Sequence, residues 1–326
     1  MSILAPHAVS PFADPHIKGL AARQNEPVQL RLLQAQRQLY ADAKQLLRLQ
    51  LALLVVLPVA AATVSLLFPD PAIKGWIAIA SIIVTVVDIS VLDRHQKRKI
   101  ENGAKVQEAF DCAVLELPWD DFVVGTPAEP EIVLDARTRH DQKFGFKGLR
   151  NWYPVEPGDT PVHLGRLICQ RGVLVYDSGL RRPYAVAVLM LAGAIFFGLV
   201  LVALIGGVTI EGLVLSVFAP AAPVVTWALR EYYRHSDAAD ANDKLRSKVE
   251  SICNSAMRGE RSSETYTLQA RQIQSELYKL RKGKPLVFDG VYRLLRSHSE
   301  YRMRAVATEQ VRTVQSRDSQ SDSKLD

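Results

Sequence analysis

Two apolar stretches joined by a few small residues dominate the hydropathy pattern. Residues 185–206 are 22 consecutive positions without a charge. As helix they cover about 33 Å at ~1.5 Å per residue, which matches a hydrocarbon core about 30 Å thick. Gly207, Val208 and Thr209 leave room only for a turn, and the uncharged run 212–229 goes back. In hydrocarbon every backbone N–H and C=O must be paired internally, so the pattern predicts a helical hairpin over 184–229. A hairpin buried in a large soluble protein is the alternative. Upstream, residues 49–68 form an uncharged stretch with Gln50 at its start and Pro58 as a kink. After Lys74 and Trp76, residues 75–92 form another, in which Asp88 is the only charge. These two predict a first hairpin over 49–92, for four spans in all (49–68, 75–92, 185–206, 212–229).

The remaining pattern is polar and mostly helical. Residues 1–22 read as a disordered lead with no apolar core of signal-peptide length, so no signal peptide is expected. Residues 23–48 read as an amphipathic helix. Asn25 suits its N-cap, Pro27 its first turn and Glu26 the positive end of its dipole. Val28, Leu32, Ala35, Leu39, Ala43 and Leu46 recur on one face. Residues 93–183 predict a small α+β unit. A helix over 101–117 carries Val106, Phe110 and Val114. β-like pieces follow at 122–124, 131–134 and 163–169, with a turn at Arg171-Gly172 into 173–176. In 230–312, Ala241, Leu245, Val249 and Ile252 form one helical stripe. Tyr266, Ala270, Ile273, Leu277 and Leu280 form a second, coiled-coil-like one that ends at Gly283 and Pro285. A further helix is expected over 291–307, and 313–326 reads as a disordered tail. The fold class is therefore an α-helical polytopic membrane protein. It has two transmembrane hairpins, a small cytosolic α+β middle domain and a helical cytosolic C-terminal region.

Charge then orients the chain. A mean hydropathy of +0.03 says that a sizeable polar remainder balances the spans. The net charge of +6 is concentrated at span flanks rather than in a nucleic-acid patch. Arg31, Arg37, Lys44 and Arg48 precede the first span, and Arg94, Lys97, Arg98, Lys99 and Lys105 follow the second. Arg171, Arg181 and Arg182 precede the third, and Arg230 and Arg234 follow the fourth. The tight turns hold only Lys74, so both termini and the middle domain are expected in the cytoplasm.

Catalytic chemistry is not signalled. No phosphate-binding glycine loop, nucleophile elbow, zinc motif or dinucleotide fingerprint occurs. The seven histidines are scattered, and Cys112, Cys169 and Cys253 lie too far apart in sequence to suggest a metal or disulfide set. No cofactor, metal or catalytic residue is expected. The polar residues of the spans are the candidates instead. Ser81, Thr85 and Asp88 share one helix face at i, i+4 and i+7, and Glu211 stands at the opposite end of the membrane. They can line a pore or join helices through hydrogen bonds. Ala194 and Gly198 offer a small packing surface, and Pro220 and Pro223 predict a bend in the fourth span. Four spans enclose no wide aqueous path, so a conducting protein of this kind would be a homo-oligomer in the lipid bilayer.

A run of short motifs resembles one family. Arg23-Gln24-Asn25 is followed by LRLLQAQRQLYADAK at 30–44, then Gln107-Glu108 with Phe110-Asp111, and Pro118-Trp119. Asn151-Trp152-Tyr153-Pro154, Cys169-Gln170-Arg171, Tyr176-Asp177, Leu180-Arg181 and Tyr184 come next. In this order, with four spans, they resemble the SMODS-associated four-transmembrane effectors, encoded beside bacterial cyclic-oligonucleotide synthases. The resemblance implies a pore-forming anti-phage effector of the bacterial inner membrane, acting in abortive infection after a cytosolic signal. The signal would be a cyclic oligonucleotide or an associated sensor protein, not a nucleic-acid polymer. Arg150, Trp152, Tyr153, Arg171 and Asp177 are candidates for meeting it, with guanidinium groups on phosphates and a ring stacked on a base. A solvated basic face near anionic lipids is the alternative for these cations. A non-conducting membrane scaffold and a small transporter are the competing functions.

Overall fold

The computed structural model describes residues 19–67, 76, 79, 80, 83, 84, 86–153, 161–288 and 308. Helix α1 (Pro27–Leu51) runs through a wide π turn at Ala52–Val56 into α2 (Leu57–Leu67), one continuous rod. A second π turn, Asp88–Leu92, leads into α3 (Asp93–Leu115). Helix α4 (Pro130–Phe144) follows, and then α5 (Val162–Ile205). A third π turn, Val214–Phe218, opens α6 (Ala219–Met257), and α7 (Ser263–Gly283) closes the described body. Single helical turns stand at Leu20–Arg23, Asp121–Val124 and Ile210–Leu213.

No strand occurs among the described residues, so the expected α+β middle domain is corrected to an all-helical one. The pieces at 122–124 and 131–134 are helical, and 163–176 is the unbroken first part of α5. Short apolar runs do not distinguish strand from helix by themselves. Packing decides here: Leu164, Leu167, Ile168 and Leu174 are buried at helical spacing, and Arg171-Gly172 continues the helix instead of turning. Helix α1 also differs from its one-face reading. Val28 is 61% exposed while Leu30 and Leu33 are buried, because α3 and α4 both pack on it and two faces are covered. Asn25 does not cap α1; Glu26 takes that position. Leu20, placed in the lead by its sequence, is part of the main core.

Two described helices, Pro27–Ala61 and Arg181–Ile205, are long and apolar enough to cross a membrane. Only 11% of the apolar window of the second is buried, which is unlike a soluble core helix. Met190, Phe197, Leu201 and Ile205 on its outer side are exposed. Of the expected second span, residues 76, 79, 80, 83, 84 and 86–92 are described, all of them helical. Over 212–229 the chain is helical but divided by the π turn at Val214–Phe218. Gly207, at φ 68°, makes the turn that sends this segment back along α5. Val188 and Ala192 of α5, Val224, Trp227 and Ala228 of α6, and Val55 and Val59 of the first rod then pack as one cluster. A single larger core lies above them. Leu33 of α1, Phe110 of α3, Leu167 of α5, Val249 of α6 and Ile273 of α7 all contribute to it.

Candidate functional site

The polar centre of the molecule is built on α3. Glu108 and Asp111 lie three residues apart, hence on one face, and that face is turned wholly inward. Two buried carboxylates side by side need partners, since an unpaired buried charge is costly. Helix α7 supplies them from positions 271, 274 and 281. Arg271 Nη2 donates to Glu108 Oε1 at 2.7 Å. Gln274 Nε2 donates to Glu108 Oε2 and to Asp111 Oδ2, each at 2.8 Å. Arg281 pairs with Asp111, whose other oxygen accepts from the Tyr153 hydroxyl at 2.6 Å. Gln170 of α5 donates to Gln274 Oε1 at 3.1 Å, which ties a third helix to the group.

The electrostatics follow from this burial. Desolvation, with Asp111 next to it, pushes the Glu108 carboxyl above its ordinary value. Burial and Asp111 likewise raise the Tyr153 phenol well above 10.0. Burial works against the charge on Arg281, but Asp111 outweighs it and the guanidinium is held above its usual range. Desolvation, reinforced by Glu108, lifts the Cys112 thiol to about 12, so it is no nucleophile at neutral pH.

A second ion cluster stands nearer the apolar layer. Asp177 of α5 accepts from Arg181 Nε at 2.9 Å, from Asn242 of α6, and from Lys284 just beyond α7. Arg181 Nη1 donates to the Pro285 carbonyl at 2.9 Å and lies 3.4 Å from His235 Nδ1. Burial opposes the charge on Asp177, but Arg181 and Lys284 prevail and hold its carboxyl well below the carboxylate range. The pair is lopsided. Three donors converge on Asp177, whereas Lys284 is desolvated and has Arg181 and Arg281 for neighbours. Its ammonium falls to about 8 despite Asp177. A third, smaller set joins Gln96 to Gln50 at 2.8 Å and Gln50 to Asp88 at 2.7 Å, across the inner end of the first apolar segment.

The sequence candidates fall into place unevenly. Ser81 and Thr85 lie outside the described residues. Asp88 is buried against Gln50. Glu211 is exposed in the one-turn helix behind Thr209. Pro220 stands in the first turn of α6 and Pro223 within it, after the π turn. Arg150 is exposed and Trp152 half-buried, with Arg37 5.9 Å above its ring. Tyr153 is buried on Asp111, Arg171 is held by Glu250 at 2.9 Å, and Asp177 is at the centre of its cluster.

The motif residues act as internal ties. Arg23 Nε donates to the Val114 carbonyl, and Gln24 Oε1 accepts from Tyr153 N at 2.8 Å. Asn25 bonds Asn151, which adopts the left-handed conformation at φ 54°. Gln107 accepts from Gln36, and Trp119 Nε1 donates to the Gly125 carbonyl at 3.0 Å. Sequence reasoning missed Arg271, Gln274, Arg281 and Lys284. The usable signal was Gln274 and Arg281 seven residues apart beside the Ile273/Leu277 stripe, polar residues on a face bound for burial. Among the described residues no group of His, Cys, Asp or Glu could hold a metal ion.

Fold and ion core together define a helical protein whose polar body is continuous with apolar segments, two described helices being long and apolar enough to cross a membrane. The chain belongs to the SMODS-associating 4TM effector family, whose domain matches residues 18–310. It is also 20% identical to a Bacillus cereus (strain VD146) protein described as a "probable CBASS effector molecule", over 243 residues. That match covers 72% of this chain and 77% of the relative. No solved structure matches the chain.

Proposed function

We propose that this chain is a bacterial defence effector that permeabilises the inner membrane when its cytosolic body receives a nucleotide-type signal. In this reading it crosses the membrane four times as two hairpins, with both termini in the cytoplasm, and it acts as a homo-oligomer. One observation carries the reading: α5 and α6 pass as unbroken rods from the ion core into the apolar layer. At 44 residues α5 is about 66 Å long, more than twice a hydrocarbon core of about 30 Å. A change of packing in the body therefore moves the membrane ends of the same helices. The description of the relative as a CBASS effector agrees with an anionic cyclic oligonucleotide as the signal. Exposed Arg150, beside Lys143 and Lys147, is the cationic surface best fitted to meet it.

The scaffold alternative loses its main support. The coiled-coil-like α7 stripe, the face with which a scaffold would recruit partners, is buried in the chain's own core through Tyr266, Ala270, Ile273 and Leu277. The decisive experiment is dye entry and growth arrest in cells carrying the chain with its cognate synthase. Dye entry that depends on synthase activity is expected, and intact membranes under full signalling would refute the proposal. Silence of the purified protein in a liposome flux assay, under every nucleotide tried, would return the scaffold reading to first place.

A further inference from the structure

Beyond the end of α7, residues 284–288 leave the helix and form a strap along α5 between Asp177 and Tyr184. We infer that this strap is an autoinhibitory latch: docked, it holds α5 straight at Pro183, and its release opens the membrane segments. The inference rests on the effector reading above and adds the element that keeps the protein closed.

Three features of the strap converge on the same two turns of α5, from Asp177 to Tyr184. Lys284 reaches Asp177, the Pro285 carbonyl accepts from Arg181, and the Phe288 ring lies 6.2 Å from that of Tyr184. The helix is weakest at that point. Pro183 lies inside α5, where its missing N–H leaves the turn before it one hydrogen bond short. A proline in a helix interior is a bend site unless neighbours prevent bending. Here the strap grips the helix immediately before and after the proline. Asn242 and His235 hold the same turn from α6. One end of the strap is fixed in turn, because Arg281 in the last turn of α7 pairs with Asp111 of the ion core. A shift of α7 against α3 thus pulls directly on the clamp.

The clamp is also poised for release. Asn242 Oδ1 and Arg281 Nη2 are buried without a hydrogen-bond partner, and a polar network with open valences is easily rearranged. Lys284 is desolvated between two guanidinium groups, in line with its lowered ammonium value.

The test uses the full chain in cells, with and without the cognate synthase, comparing wild type with Lys284→Met and Phe288→Ala. Without synthase, each variant is expected to raise the dye-permeable fraction about tenfold over wild type, the shift for losing one such contact. In the purified wild-type protein, hydrogen exchange at 284–288 should speed up when the synthase product is added. Variants that stay sealed without synthase yet respond normally to it overturn the latch and leave the effector reading intact. Variants that stay sealed under both conditions overturn it too, since the strap would then transmit rather than restrain. A wild type that never leaks sinks the effector reading instead, and unchanged exchange at 284–288 then disposes of the latch separately. Should Lys284→Met fail to fold, Phe288→Ala keeps the test alive because it removes only a ring contact.

Discussion

Replacing Arg281 by methionine keeps the side-chain volume and removes the charge that faces Asp111. Both side chains are deeply buried, at 7% and 0% exposed, so little solvent screens the loss. Asp111 would keep the Tyr153 hydroxyl and the Gln274 amide but no cation in direct contact. Breaking a buried pair by deleting one partner costs about 3–5 kcal/mol, whereas replacing both by apolar groups is close to neutral. For a chain of this size each kcal/mol lowers Tm by roughly 2–4 °C. Arg281→Met should thus lower the apparent Tm in detergent by about 6–20 °C. Adding Asp111→Leu should recover more than half of that loss. The assay is thermal unfolding of wild type, both single variants and the double, closed as a cycle. A drop of under about 3 °C for Arg281→Met, or a double variant worse than the sum of the singles, would refute the buried-pair account.

Three further outcomes are expected. Burial, the leading cause at each, holds His140, His163 and His235 below 6.5. The unfolded chain therefore takes up those protons first as pH falls. Their contribution is complete above pH 6.5 and declines below it. Glu108, raised above 4.5, has the opposite sign. A Tm scan from pH 7.5 down to 5.5 should fall, and His235→Gln should flatten it; an unchanged slope would count against neutral buried His235. Pro183→Ala restores a backbone donor inside α5 and should stabilise the helix by about 1–3 kcal/mol. It should also raise the signal dose needed for dye entry, a result that a dose–response titration reads directly. Phe122 is 98% exposed while Cys112, Cys169 and Cys253 are all buried, so Phe122→Cys offers a single reactive thiol. An impermeant maleimide should label it only after cells are permeabilised, and labelling of intact spheroplasts would contradict a cytoplasmic body.

The apolar segments and the helical stripes were written locally. An uncharged run of 22 residues has few ways to satisfy its backbone, and the Tyr266/Ala270/Ile273/Leu277 spacing is buried as its period implies. Periodicity also marked Val106, Phe110 and Val114 of α3, all buried. Strand against helix at 163–176 was not decidable that way, because a short apolar run fits either geometry until its neighbours are known. The buried carboxylates were visible as letters in a motif, but their partners come from more than 160 residues away in sequence. No local rule announces which of 40 lysines and arginines will be buried. That choice was made only when α7 lay down on α3 and α5. Burial gives an ion pair its strength and a lone charge its cost, and burial is a property of the assembled fold. Membrane character thus belongs to the sequence, and the linkage between body and membrane to the tertiary structure.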